Sequence, residues 1–237
     1  MELKRHLPTA ATLCNGAAGI AACGFAVNGY WEMAALMIMV AVLLDSLDGA
    51  LARALGSVTE FGKELDSLAD VISFGCAPTV LVGSLMPFEM RDIGWILVTF
   101  YPLCAMWRLA RFNTRQDAEE IHKGFFGLPS TAAGGAAATA VLLYLRLSGQ
   151  GVSPNVMVLP WILMVLGALM ISGIGYKHAG AVIGKLNPAV AVVAAMLFLG
   201  GSIFWQYEYM FAALIWAYAL SGPVGAARGM IRAVHHA

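Results

Sequence analysis

Long apolar runs separated by short polar or turn-forming breaks make up almost the whole chain. A helical run of about 17 to 25 apolar residues is long enough to cross the hydrocarbon core of a membrane. Asn28-Gly29 and Met86-Pro87 are typical of the turns that separate such runs. The pattern predicts an all-α, polytopic membrane helical bundle of about eight transmembrane helices, at approximately 8–27, 31–55, 66–85, 94–110, 131–147, 156–171, 188–204 and 210–226.

The basic residues divide unequally between the two sides of this predicted bundle. If the amino terminus is cytoplasmic, twelve of the fourteen basic residues fall on the cytoplasmic side. They are Lys4, Arg5, Arg53, Lys63, Arg108, Arg111, Arg115, Lys123, Lys177, Lys185, Arg228 and Arg232. Arg91 and Arg146 fall on the other side, and this bias is what the positive-inside rule expects. We predict a multi-pass membrane protein with both termini in the cytoplasm, in the inner membrane if the source is bacterial.

Composition agrees with this class of protein. Hydrophobic residues make up 60% of the chain and charged residues 12%, about half the charged fraction of a soluble domain. The formal net charge is zero, which gives no reason to expect a nucleic acid as partner. The four cysteines lie in apolar segments without paired spacing, so neither a disulfide nor a zinc site is expected. We predict one integral membrane domain over residues 1–237.

Four aspartates lie in the second and third predicted spans, Asp45 with Asp48 and Asp66 with Asp70. Spacings of three and four residues place each pair on one helix face, so two helices could enclose one site. An aspartate at the centre of a membrane helix costs about 2.5–3.5 kcal/mol on insertion scales, and such residues usually mark functional sites. Carboxylate oxygens suit hard divalent cations, so Mg²⁺ or Mn²⁺ is the expected cofactor. A carboxylate spared from full coordination could act as general base.

Small residues accompany the aspartates. Gly49 and Ala52 continue the Asp45 face and Gly62 precedes Asp66 by one turn, which leaves room for a flat ligand. Arg53 could hold a phosphate in bidentate fashion.

These eight residues form the pattern D-x2-D-G-x2-A-R-x8-G-x3-D-x3-D. The pattern resembles the signature of the CDP-alcohol phosphotransferases at all eight fixed positions. The resemblance implies a six-helix core, here with two further helices, and commonly a homodimer. It also implies that Asp45, Asp48 and Asp66 ligate metals. Asp70 would be the catalytic base and could also touch a metal. Gly49, Ala52, Arg53 and Gly62 would shape the CDP-lipid pocket, together with Asn15, Asp48 and Asp66.

Further segments resemble the phosphatidylserine synthase branch of this family. They are LDSLADVISFGCAPTVL, RLARFN at 108–113, FFGLPS at 125–130, and the Pro8, Thr12, Asn15 and Gly19 pattern of the first helix. The resemblance covers about residues 7–135, with Thr9 where asparagine is usual and Thr131 where a second proline is usual; 173–178 also departs from the pattern. It implies CDP-diacylglycerol and L-serine as substrates, with membrane lipids around the protein. Phosphatidylserine and CMP would be the products.

Serine carries a carboxylate and an ammonium group, so its binding calls for a basic residue near the site. Arg108 and Arg111 end the fourth predicted span on the cytoplasmic side, and Asn113 could add a hydrogen bond. Lys123 could contact a headgroup or phosphate. The alternative is that these residues serve membrane topology alone.

Two other hypotheses compete with serine transfer. The same machinery could use glycerol 3-phosphate or inositol phosphate as acceptor, although a phosphorylated acceptor calls for a denser basic cluster. The aspartates could instead line the pathway of a cation transporter. A phosphate clamp at Arg53 and space for a nucleotide favour the enzyme.

Overall fold

The computed structural model describes residues 2–55, 59–115, 125–176 and 207–235. Helices form most of these ranges. They are α1 Glu2–Val27, α2 Trp31–Leu55, α3 Glu60–Asp70, α4 Ala77–Ser84, α5 Arg91–Arg115, α6 Ser130–Gly149, α7 Val158–Ile171 and α8 Tyr207–His235. A π-helical turn, Val71–Cys76, joins α3 to α4 without a break, so Glu60–Ser84 is one long helix.

Six of these helical segments are long and apolar enough to cross a membrane, which supports an integral membrane protein. The predicted sixth span corresponds to α7, which has only 14 residues. At about 1.5 Å per residue it is roughly 21 Å long, short of a hydrocarbon core about 30 Å thick. The predicted span at 188–204 lies outside the described residues. The count of eight is therefore not confirmed, and seven continuous helical segments are present in the described ranges.

The third helix begins earlier than its sequence predicts. The sequence predicts the third span from about residue 66, but the helix starts at Glu60 because Thr59 caps it. The Thr59 side chain accepts a hydrogen bond from the Gly62 amide at 3.0 Å. A side-chain cap of this kind satisfies an amide that the first helical turn leaves free. The π-helical turn follows Asp70 directly, and such turns occur frequently at functional sites.

Small residues let the helices that carry the aspartates pack closely. α1 lies against both α2 and α3. A Cβ atom on Gly19 would lie 2.7 Å from the Cα of Ser73, so only glycine permits this approach. In α6, a Cβ on Gly134 would lie 2.7 Å from the Phe74 ring, and Gly135 faces Val42 of α2. α6 is thereby held against both aspartate helices.

A two-stranded antiparallel ladder departs from the all-α prediction. β1 Phe125–Phe126 pairs with β2 Gly175–Tyr176, and two residues per strand are too few to show an alternating sequence pattern. Tyr176 donates a hydrogen bond from its hydroxyl to the Ala219 carbonyl at 3.0 Å, which ties the ladder to α8. Burial, together with the nearby Tyr218, raises the pKa of Tyr176 to about 12, so the hydroxyl stays a donor at physiological pH.

Candidate intramembrane carboxylate centre

Three of the predicted metal ligands converge. Asp45 and Asp48 of α2 and Asp66 of α3 each offer a carboxylate oxygen, and these oxygens all lie within 4.8 Å of one another. Spacing explains the α2 pair, because Asp45 and Asp48 are three residues apart on one helix face, and the third helix adds Asp66. Asp48 is buried, whereas Asp45 and Asp66 are half-buried.

Asp70 lies beside this group but is held by its own partners. The Asn15 side-chain amide donates to Asp70 Oδ1 at 3.4 Å, and the Ser130 hydroxyl donates to Oδ2 at 3.1 Å. Arg108 donates in turn to the Ser130 oxygen at 3.2 Å. All four residues are buried. The chain from Arg108 through Ser130 to Asp70 thus joins α5, α6 and α3.

Asp45 also has a partner from α6. The Thr131 hydroxyl donates to Asp45 Oδ2 at 2.8 Å. Two adjacent residues at the start of α6 therefore hold one carboxylate from each aspartate helix, Thr131 that of Asp45 and Ser130 that of Asp70.

The carboxylate group fits a hard divalent cation. Oxygens bound to one such cation at about 2.0–2.6 Å lie at most about 4–5 Å from one another. The carboxylate oxygens of Asp45, Asp48 and Asp66 have a similar separation. Asp48 Oδ2 and Asp66 Oδ1 are buried and have no hydrogen-bond partner, although burial of an unpaired carboxylate oxygen is costly. Among the side chains that the structure describes, Arg108 is the one buried basic group. A cation at Asp45, Asp48 and Asp66 would satisfy the unpaired oxygens and offset the negative charge.

Some of the predicted pocket residues lie at or near this centre. Asn15 is fully buried and contacts Asp70, and its Oδ1 has no hydrogen-bond partner. Gly49 follows Asp48 on α2 and is half-buried, and Gly62 lies in the first turn of α3. Ala52 and Arg53 belong to α2, but their side chains lie outside the described part of the chain.

The predicted acceptor-binding residues of α5 point to three different elements. Arg108 reaches α6 through Ser130, whereas Arg111 donates to the Phe126 carbonyl at 3.4 Å and Asn113 donates to Ser67 of α3 at 3.0 Å. Ser67 neighbours Asp66 in sequence, so Asn113 lies next to the carboxylate helix. Lys123 lies outside the described residues.

Sequence reasoning missed Ser130 and Thr131 as site residues. Ser130 belongs to the FFGLPS segment and Thr131 stands where the family pattern has a proline, but the sequence pattern predicts no role for either. The available signal was two hydroxyl residues directly after Pro129 at the start of an apolar helix.

These observations define a polytopic membrane protein with a carboxylate centre built between its helices. The chain belongs to the CDP-alcohol phosphatidyltransferase family, whose model matches residues 5–173. The family predicted from the aspartate signature is therefore confirmed.

Named relatives support this assignment. The chain is 35% identical over 195 residues to the CDP-diacylglycerol–serine O-phosphatidyltransferase of Mycobacterium bovis, covering 80% of this chain and 67% of that protein. It is 34% identical over 174 residues to the archaetidylserine synthase of Methanothermobacter thermautotrophicus, covering 73% and 70%. The CDP-diacylglycerol–serine O-phosphatidyltransferase of Bacillus subtilis is 34% identical over 129 residues, covering 54% and 71%.

Proposed function

We propose that this protein transfers the phosphatidyl group of CDP-diacylglycerol to L-serine, giving phosphatidylserine and CMP. The observation that carries the proposal is the convergence of Asp45, Asp48 and Asp66 within 4.8 Å, with Asp70 beside them. Two relatives named for serine transfer and one named for archaetidylserine synthesis support the acceptor.

Asp45, Asp48 and Asp66 would hold Mg²⁺ or Mn²⁺. A divalent cation bound there would neutralise the pyrophosphate of the substrate and stabilise the charge that develops on its oxygens. The Thr131 hydroxyl would hold the Asp45 carboxylate in place through its bond to Oδ2. Carboxylate oxygens suit both Mg²⁺ and Mn²⁺, so either ion is compatible with these ligands.

Asp70 would act as the general base. The serine hydroxyl oxygen forms a bond to the lipid-side phosphorus while the bond from that phosphorus to the CMP oxygen breaks, and the serine proton passes to Asp70. Asn15 and Ser130 orient the Asp70 carboxylate, and each of its oxygens retains a further lone pair. CMP leaves with the negative charge.

Residues around the carboxylates would bind the two substrates. Gly49, Ala52, Arg53 and Gly62 would contact the CDP group, with Asn15 beneath it. Arg108, Arg111 and Asn113 would bind serine or phosphate from α5, and Lys123 would contact the headgroup. Arg108 is close enough to Asp70 and Asp45 to interact with their charges, so it could attract the serine carboxylate into the centre.

Orientation and assembly complete the proposal. The distribution of basic residues supports cytoplasmic termini and a site open to the cytoplasm, where serine and nucleotides are available. We further propose one membrane domain over residues 1–237 and a homodimer, which the native mass of the protein in lipid nanodiscs would test.

Acceptor competition tests the function directly. Purified protein with CDP-diacylglycerol and Mn²⁺ should release CMP with L-serine but not with glycerol 3-phosphate or inositol phosphate. Release only with a phosphorylated acceptor would keep the chemistry and reject serine. If no acceptor supports release and the protein instead carries cations across vesicles, the transporter hypothesis replaces the enzyme.

A further inference from the structure

Thr131 uses its hydroxyl differently from comparable residues in the bundle. The hydroxyls of Thr79 and Thr139 donate to the backbone carbonyl four residues earlier, as helical threonines often do. Thr131 is the second residue of α6, so the carbonyl four residues earlier belongs to Gly127, before the helix. Its hydroxyl donates to Asp45 Oδ2 at 2.8 Å instead.

The packing of α6 fixes this contact. Gly135 lies one turn after Thr131 on the same face, and a Cβ there would lie 3.6 Å from the Val42 side chain. Asp45 lies three residues after Val42, so antiparallel packing brings Thr131 opposite Asp45. Gly134 lies one turn after Ser130 in α6, and Phe74 lies one turn after Asp70 in the third helix. These two residues also lie against each other. Each hydroxyl contact thus has a glycine contact one turn away, which is tight at Gly134 and at ordinary van der Waals distance between Gly135 and Val42.

The bond restrains the orientation of the Asp45 carboxylate. A carboxylate that rotates freely can offer either oxygen or both, and fixing it costs conformational freedom each time a cation binds. A donor on Oδ2 restrains the carboxylate in an orientation that places one of its oxygens within 4.8 Å of carboxylate oxygens of Asp48 and Asp66. Hydrogen bonds that orient a metal ligand in this way typically change metal affinity by about 10- to 100-fold.

We propose that Thr131 is a positioning residue that holds Asp45 ready to bind the divalent cation. The inference rests on the proposed function, because it assumes that the carboxylate centre binds a cation. The proposal gives α6 a role in the metal site, although none of the predicted metal ligands belongs to α6.

Manganese titration of the full chain in lipid nanodiscs tests the proposal without requiring catalysis. Free Mn²⁺ is followed by electron paramagnetic resonance for the unmodified protein and for Thr131→Val, Thr131→Ser and Thr139→Val. Valine keeps the shape of threonine but removes the hydroxyl, and serine keeps the hydroxyl. Thr139 is a matched control, because it is buried in the same helix and donates only to the α6 backbone.

Thr131→Val should weaken Mn²⁺ binding by about tenfold or more, whereas Thr131→Ser and Thr139→Val should bind within about threefold of the unmodified protein. The Mn²⁺ concentration for half-maximal CMP release should rise with the dissociation constant in Thr131→Val. If Thr131→Val loses its cooperative melting transition, Thr131→Ala is the second variant without the hydroxyl.

Two results would overturn the inference, and they differ in what else they reject. Unchanged Mn²⁺ affinity in a folded Thr131→Val or Thr131→Ala variant would reject the positioning role and leave the proposed function intact. Equal Mn²⁺ binding by the unmodified protein and an Asp48→Asn variant would reject the metal site itself, and with it both the proposed function and this inference.

Discussion

Among the four aspartates, Asp70 is distinguished by what holds it. It accepts hydrogen bonds from Asn15 and Ser130, and Ser130 accepts from Arg108. By contrast, Asp48 and Asp66 each keep a buried oxygen without a partner. Both oxygens of Asp70 accept hydrogen bonds, whereas Asp45 accepts one from Thr131 and the other two aspartates keep an unpaired oxygen. This difference supports the proposed division into one base and three ligands.

Replacing Asp70 by asparagine tests this division. Asp70→Asn keeps the size of the side chain but removes its ability to take a proton, so CMP release should fall by at least about a hundredfold. Binding of CDP-diacylglycerol, measured with a radiolabelled lipid, should be retained. Asp92→Asn is the control, since Asp92 is exposed in the first turn of α5. If Asp70→Asn turned over at the rate of the Asp92→Asn control, Asp70 would not be the base.

At the level of helices, close packing of small residues positions the site. Gly19 of α1 lies against Ser73, whose hydroxyl donates to the Asn15 carbonyl at 2.9 Å. Asn15 in turn reaches Asp70. The approach of α1 to the third helix therefore sets the position of an Asp70 partner as well as the stability of the bundle.

A matched pair of alanine variants in α1 tests the packing. Alanine normally stabilises a helix interior relative to glycine by about 0.5–1 kcal/mol. At Gly19 the new Cβ would overlap the Ser73 backbone, so Gly19→Ala should destabilise the protein by about 1–3 kcal/mol and reduce CMP release. Gly24→Ala meets nothing within 4 Å and should melt at or slightly above the unmodified protein. Thermal unfolding in nanodiscs compares them, and a Gly19→Ala variant as stable as Gly24→Ala would contradict the account.

The sequence predicts the aspartates better than the residues that hold them. Spacing alone places Asp45 with Asp48 on one face, because that relation is local to one helix. The contact of Thr131 with Asp45 depends on how α6 lies against α2, and no local pattern specifies that register. The start of the third helix at Glu60 was missed for a local reason, since Thr59 was not considered as a cap. The short ladder was missed because its pairing joins distant segments.

Across the whole molecule, the residues of the carboxylate centre lie nearer one end of the helix bundle than the other. They come from the later half of α2, the start of α6, the later part of α5 and the first half of the continuous Glu60–Ser84 helix. Arg91 and Arg146 stand at the opposite helix ends, at the start of α5 and in the last turn of α6. This separation supports a cytoplasmic site under the positive-inside rule.

Reporter fusions test the orientation. A fluorescent protein fused after Ala237 should fluoresce, because this reporter folds in the cytoplasm, and alkaline phosphatase at the same position should be inactive. Alkaline phosphatase inserted after Gly151, between α6 and α7, should be active. The opposite reporter activities at both positions would show the inverse membrane orientation, with the site on the non-cytoplasmic side.

The most direct test of the whole account is anomalous diffraction from crystals grown with Mn²⁺ and CDP-diacylglycerol. We predict a manganese peak between α2 and α3, within about 2.0–2.6 Å of carboxylate oxygens of Asp45, Asp48 and Asp66 and next to the lipid pyrophosphate. Bound nucleotide-lipid with no manganese at these oxygens, or with manganese held elsewhere, would contradict the claim that the carboxylates form a metal-binding active centre.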